Sequence, residues 1–148
     1  MTAGFSHVGV CVSDLERSLR FYVDGLGFEA AESWSIGSEY GRLMELPDVE
    51  LTSQFLRRDG ASIELLSYAS PGIVGPAERR PVNQLGLTHL CFRVDDVDDV
   101  AARLVALGGA VHEHTRTTFP DPNGDPQLDF VYCTDPDGTR IELMRLPD

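Results

Sequence analysis

No lysine occurs among the 148 residues, so all twelve basic side chains are arginine. That removes a Schiff-base amine and the lysine of a phosphate-binding loop from the chemistry open to the chain. Acidic residues outnumber basic ones 24 to 12, for a formal net charge of −12. Without a basic stripe such a chain repels a phosphate backbone, and nucleic acid is not an expected partner. Long apolar runs are missing as well. The longest are strand-sized and interrupted, far short of the ~20 residues that cross a bilayer, so no membrane partner is expected. The opening MTAGFSHVGV has no basic segment leading into an apolar stretch, so neither a secretory signal nor a transit peptide is expected and a cytoplasmic location follows. Cysteine is scarce: Cys11, Cys91 and Cys133 form no CxxC pair and leave an odd count. Reduced thiols packed as small buried hydrophobes are expected, rather than a disulfide framework. Chemistry is left to His, carboxylates, thiols, hydroxyls or a metal.

What is present is a duplication. HVGVCVSDLERSLRFY, from His7, aligns with HLCFRVDDVDDVAARL, from His89, at an offset of 89 − 7 = 82. DGASIEL, from Asp59, matches DGTRIEL, from Asp137, at 137 − 59 = 78. Order and spacing are kept, which marks two copies of one supersecondary unit. In each first strand apolar residues alternate at period two, with Val8, Val10 and Val12 on one face and Leu90, Phe92 and Val94 on one face of the second copy. A helix start follows each strand. Ser13 with Glu16 resembles a capping box, and Asp95 or Asp96 caps the second helix. Leu15, Leu19 and Tyr22, then Val97, Ala101 and Leu104, form apolar stripes that lie on a sheet. Gly25 with Gly27 and Gly108 with Gly109 end the helices. Further strands are expected at 28–32, 41–46 and 52–57, then at 111–114 and 129–133, and each half closes on Ile-Glu-Leu.

The expected architecture is α+β: one domain over 1–148 made of two tandem β-α-β-β-β modules, about 4–68 and 86–146, with helices on the outer face of a mixed sheet. Residues 69–85 contain Pro71, Gly72, Gly75, Pro76 and Pro81, which suits a linker. A second Pro- and Gly-rich stretch, 119–127, is expected as a loop.

Two carboxylates stand where burial is costly. Glu64 lies between Ile63 and Leu65, and Glu142 between Ile141 and Leu143, so each projects opposite its aliphatic neighbours. His7 and His89 do the same. If helices cover the aliphatic face, all four side chains enter the hollow on the other face. A divalent cation is the economical compensator, because two neutral imidazoles, two carboxylates and M²⁺ sum to zero charge. The mixed N/O set suits nickel, cobalt, zinc, manganese or iron. His112 and His114 have no repeat counterpart and are expected on solvated surface.

HVGVCVSDLERSLRFYVDGLGF, HLCFRVDDVDDVAARLVALGG and DPDGTRIELM together resemble the vicinal-oxygen-chelate superfamily, which includes glyoxalase I, methylmalonyl-CoA epimerase, extradiol dioxygenases and the bleomycin- and fosfomycin-resistance proteins. The resemblance covers nearly the whole chain. It implies a cupped sheet around a metal held by His7, Glu64, His89 and Glu142, a small-molecule substrate with vicinal oxygens, and a homodimer in which modules pair within a chain or between chains. DPDGTRIEL looks like the glyoxalase end, while IELLSYASP and LTHLCFRVDD are similar to the epimerase middle; the epimerase's longer glycine-bearing last turn is absent.

The implied chemistry is proton transfer at a carbon beside a metal-chelated carbonyl, as in glyoxalase I, or alternatively as in methylmalonyl-CoA epimerase. By the same resemblance Glu142 is the base and Glu64 its partner across the substrate. Glu45 and Glu50, flanking Pro47 in MELPDVEL, are alternative bases, or else solvated carboxylates of an edge strand. Arg79 and Arg80 in the linker can meet an anionic tail, such as a coenzyme A phosphate or a thiol-conjugate carboxylate, or be solvated charges. Phe119, Trp34, Tyr40 and Phe55 line an apolar pocket or join the core. Two other classes stay open: a non-catalytic protein holding a small aromatic or antibiotic ligand, and an iron-dependent dioxygenase, whose triad of two His and one carboxylate fits a four-ligand set poorly.

Overall fold

In a computed structural model, which describes residues 4–124 and 126–147, alternating burial on the two closing strands organises everything else. Residue 125 of the 119–127 loop lies outside the described residues. The chain divides into two compact units, Met1–Pro76 and Ala77–Asp148. The first contains β1 (Val8–Cys11), α1 (Leu15–Arg20, continued by a wider turn over Phe21–Gly25), β2 (Glu29–Ile36), α2 (Gly41–Met44), β3 (Glu50–Arg58) and β4 (Ala61–Ser70). The second contains β5 (Leu90–Arg93), α3 (Val97–Ala106), β6 (Ala110–Val111), β7 (Thr117–Pro120), β8 (Pro126–Thr134) and β9 (Arg140–Arg145). The class is α+β, with one mixed sheet per unit.

The two sheets share a plan. Order in the first is β1-β4-β3-β2, and in the second β5-β9-β8-β6, with β7 also on β8. The first and last strands of each unit pair in parallel, Gly9 beside Glu64 and Cys91 beside Glu142, and the remaining pairs are antiparallel. Ile63, Leu65, Ile141 and Leu143 are all buried, as are Val10 and Val12. This is the helix-covered side, since α1 packs on β4 and α3 on β6, β8 and β9. Gln54, buried, offers its amide to the carbonyls of Ala31 and Glu32 at 3.2 and 3.3 Å where β2 bulges. Arg116 grips Asp129 of β8 with two nitrogens and Asp98 of α3 with a third, fixing helix to sheet.

Several local expectations change. The first helix is capped by Asp14, whose carboxylate accepts from the Arg17 N–H at 2.9 Å, while Ser13 instead accepts from the Arg17 guanidinium. Asp96 caps α3 in the same way at 3.0 Å, again 82 residues on. The stripe on α3 is the expected Val97, Ala101 and Leu104, but α1 buries Ser18, Phe21 and Tyr22 because its widened last turn swings two consecutive aromatics inward. Residues 41–46 are not a strand. Arg42, Leu43 and Met44 are helix formers with no period-two alternation, and they follow a 3₁₀ turn over Ser38–Tyr40 into α2. In the second unit the strand expected at 111–114 stops at Val111. A 3₁₀ turn over Glu113–Thr115 interrupts it, held by the Thr115 hydroxyl on the His112 carbonyl at 2.7 Å, and pairing resumes as β7, whose last two residues run into the loop expected at 119–127. Of the cysteines, all free, Cys133 is buried as expected but Cys11 and Cys91 are exposed.

β4 continues to Ser70, and residues 78–80 lie against the turn and start of β9. A Cβ on Gly138 (φ +88°) would fall 2.7 Å from the Glu78 carbonyl carbon, whereas its repeat counterpart Gly60 (φ +77°) has open space around it. Gly60→Ala therefore costs only the left-handed backbone penalty, about 1–2 kcal/mol. Gly138→Ala costs that plus roughly 1–3 kcal/mol of overpacking. Urea denaturation of the two variants measures the difference, and equal losses would mean that residue 78 does not press on the turn.

Candidate metal centre

The placement of each candidate follows from the strand geometry. Glu64 and Glu142 must project opposite Ile63/Leu65 and Ile141/Leu143, and both are partly buried. His7 and His89 sit one residue before β1 and β5. Parallel pairing then lays each imidazole beside the glutamate of its own unit. His7 Nε2 lies 3.1 Å from Glu64 Oε2, and His89 Nε2 lies 2.8 Å from Glu142 Oε2. Two donors bound about 2.1 Å from one ion in neighbouring positions stand roughly 3 Å apart. Each pair thus has the spacing of adjacent metal ligands. Among the described residues no group of three or more His, Cys, Asp and Glu is placed to hold a metal ion, and the pair within each unit supplies two donor atoms.

The other ring nitrogen is engaged in both units. His7 Nδ1 is 2.9 Å from the Ser6 hydroxyl, and His89 Nδ1 is 2.8 Å from the Thr88 hydroxyl. If Nδ1–H donates to that hydroxyl, the Nε2 lone pair faces a carboxylate oxygen, and two acceptors meet unless a cation lies between them. A hydroxyl behind a ligating imidazole fixes ring and tautomer in this way. Sequence reasoning passed over Ser6 and Thr88, although they are 88 − 6 = 82 residues apart, the same offset as the histidines. An aromatic edge completes each pair: Phe55 against His7 at 5.1 Å and Tyr132 against His89 at 5.6 Å, from strand positions directly beside Glu64 and Glu142.

The two glutamates differ in what holds them. Ser53, almost fully buried, donates its hydroxyl to Glu64 Oε1, so both oxygens of Glu64 are occupied. Glu142 has His89 on one side and the Cys91 thiol on the other. Although Cys91 is exposed as a residue, partial burial of its thiol, aided by the Glu142 charge and hydrogen bond, pushes it up to about 11, which keeps it protonated at neutral pH. Burial foremost also raises Tyr68 and Tyr132, neighbours of Glu64 and Glu142.

Other candidates scatter. Glu45 and Glu50 are exposed, as solvated carboxylates would be. Trp34, Tyr40 and Phe119 are exposed and outside the core, and only Phe55 joins a candidate ligand. Arg80 is exposed and donates to the Leu87 carbonyl at 2.7 Å. Arg79 is half-buried near the guanidinium of Arg140 and the imidazole of His112. His114 is exposed as expected, whereas His112 is half-buried, with its Nε2 out of solvent and its N–H extending the β6 pairing to the Tyr132 carbonyl at 2.9 Å.

Two units, each running from a strand into a helix and closing on a strand parallel to the first, and each presenting a histidine before its first strand and a glutamate on its last, define a duplicated-module scaffold with one polar pair per module. The chain belongs to the Glyoxalase/Bleomycin resistance protein/Dioxygenase superfamily, whose model matches residues 4–143. It is 28% identical to an ethylmalonyl-CoA/methylmalonyl-CoA epimerase of Cereibacter sphaeroides, over 99% of this chain and 100% of that protein. It is 30% identical to a lactoylglutathione lyase of Haemophilus influenzae, over 93% of this chain and 89% of that one. In fold it superposes on a glyoxalase family protein from Bacillus cereus with a TM-score of 0.84 at 19% identity, covering 100% and 97% of the two chains. Among the described residues no helix is long and apolar enough to cross a membrane.

Removing the Ser53 hydroxyl leaves a half-buried carboxylate oxygen unpaired. Ser53→Ala is expected to lower stability by about 1.5–3 kcal/mol, the usual loss for a hydrogen bond to a charged group. Urea denaturation of metal-free protein checks this, and a change below about 0.5 kcal/mol would mean that Glu64 is held by other contacts.

Proposed function

We propose that the chain is a cytoplasmic metal-dependent lyase or isomerase of the glyoxalase I type, which moves a proton at a carbon beside a carbonyl. Methylmalonyl-CoA epimerase-like turnover is the second reading, favoured by full-length similarity to a relative of that name. The observation that carries the proposal is the duplicated His–Glu pair with a hydroxyl behind each imidazole. His7 and Glu64 from one unit, with His89 and Glu142 from the other, would hold one ion of nickel, cobalt, zinc, manganese or iron, the two units belonging to one chain or to two chains of a homodimer. When bound, such an ion supplies Lewis acidity at two vicinal oxygens of the substrate.

The remaining work falls to the side chains. His7 and His89, oriented through Ser6 and Thr88, serve as fixed ligands. Glu64, pinned at both oxygens, is the rigid carboxylate. Glu142 has only a weak thiol donor besides its imidazole, and this makes it the freer of the two. It is therefore the base that takes the proton from the substrate carbon. In a lyase or isomerase Glu142 returns that proton to the neighbouring carbon; in an epimerase Glu64, protonated from solvent beforehand and released from its ligand role, would give its proton to the opposite face of the same carbon while Glu142 keeps the one it removed. Phe55 and Tyr132 shield the pairs from water, which strengthens every charge interaction there.

Protein purified without chelator should carry about one divalent ion per set of four ligands, and His7→Ala or His89→Ala should each lower metal content at least tenfold by elemental analysis. Wild-type metal content in both variants would remove these histidines from the ligand set. Turnover is to be measured with the hemithioacetal of methylglyoxal and glutathione, and with methylmalonyl-CoA. Glu142→Gln should reduce kcat on the accepted substrate by about 10²–10⁴-fold, the usual contribution of a general base. Full turnover by Glu142→Gln would move the base elsewhere.

A further inference from the structure

The second unit gathers positive charge that its own residues leave unanswered. Arg79, ahead of β5, and Arg140, opening β9, repel one another, and both act as like charges on His112 beyond β6. Arg140 is buried, at 8% exposure; it donates to the Arg80 carbonyl, and its guanidinium lies 4.8 Å from the centre of the Tyr132 ring. Arg79 Nη1 and His112 Nε2 are buried, and neither has a hydrogen-bond partner. Among the described residues no carboxylate forms an ion pair with Arg79 or Arg140. Cations held together away from water need compensation, and buried polar atoms in native proteins are normally bonded.

The cluster is built rather than loose. Residues 78–80 are fixed on one side by the close approach of Gly138 to Glu78 and on the other by the Arg140 bond to Arg80, and Arg79 sits between the two anchors. Its position relative to the proposed centre follows from register. Arg140 and Glu142 share a face of β9, two residues and about 7 Å apart. Their neighbours on β8 are Thr134 and Tyr132. Tyr132 touches both groups, with Arg140 over its ring and the edge-on imidazole of His89 5.6 Å away.

We propose that Arg79, Arg140 and His112 form a subsite for an oxyanion, a carboxylate or phosphate, carried by the substrate next to the group on which Glu142 acts; the link to Glu142 rests on the functional reading above, whereas the subsite does not. A planar oxyanion takes two parallel N–H bonds from a guanidinium and a third from the imidazole. Burial, with the charges of Arg79, His114 and Arg140, holds His112 below its ordinary value, so at neutral pH it is an uncharged donor. A substrate without a negative group would leave both arginines uncompensated.

The test is calorimetric titration of metal-free protein at low ionic strength with inorganic phosphate and, separately, with succinate. Saturable binding of one of them is expected, with the tighter ion identifying phosphate or carboxylate as the ligand. Arg79→Gln and Arg140→Gln should each weaken binding about tenfold or more, the loss of a charged hydrogen bond. Arg20→Gln, on α1 in the other unit, should bind as wild type. Arg140→Gln also loses the bond to residue 80, so thermal melts are recorded for all variants. Arg79→Gln gives up no hydrogen bond at Nη1 and stands as the decisive variant even if Arg140→Gln is destabilised. Absence of saturable binding in wild type, or undiminished binding in Arg79→Gln, overturns the subsite. Neither metal nor turnover enters the titration, so anion binding by a protein that, loaded with metal, turns over neither substrate counts against the Glu142 chemistry alone and leaves the subsite standing.

Discussion

A glutamate fixed between two core aliphatics is the constraint from which the rest follows. Ile63 and Leu65, like Ile141 and Leu143, are 4% exposed or less, and strand alternation leaves the residue between them no direction except the uncovered face. A slip of one residue would drive a carboxylate under a helix and lift two large aliphatics into water, at several kcal/mol for burial alone. Core packing therefore sets where Glu64 and Glu142 point. Parallel pairing with the first strand then brings a histidine within hydrogen-bonding distance of each. The polar pair is a by-product of how the apolar side is packed, which is why it arises twice.

Features that repeat were legible in the sequence, because two independent copies constrain one reading. The first strands, the α3 stripe, the Asp-Gly turns and the four His and Glu positions all have counterparts at offsets of 82 or 78. Features of one copy were harder to read. The helical turn at 41–44 sits between β2 and β3, where the expected strand had no counterpart in the other half to test it and the helix-forming residues Arg42, Leu43 and Met44 are too few to show a helical period. The break between β6 and β7 depends on a hydroxyl-to-carbonyl bond from Thr115 that periodicity does not register. Arg116, which joins Asp98 on α3 to Asp129 on β8, links residues distant along the chain and visible as partners only after folding. Ser6 and Thr88 were readable from the repeat yet carry no signal of their own, since a hydroxyl beside a histidine is commonplace.

The duplication also separates what must be kept from what is free to change. Helix-facing positions are apolar in both copies because each sheet needs a covered side. Positions on the other face bear no such load, and there the units diverge. Gly9 and Ser53 surround Glu64 where Cys91 and Phe130 occupy the matching places around Glu142. Two residues before the glutamate stands Ser62 in the first unit and Arg140 in the second.

That divergence argues for a division of labour. Around Glu64 a small residue and a buried hydroxyl leave the carboxylate clamped, and Arg57, beside Ser62 on the same face, is already paired with Glu32, which suits a rigid ligand. Around Glu142 a weak thiol donor leaves the carboxylate freer, and Arg140 with Arg79 places positive charge one step along the same strand face. On the proposed reading, the unit that carries both the freer carboxylate and these cations would bind and turn over an anionic substrate, and the other would supply the fixed ligands.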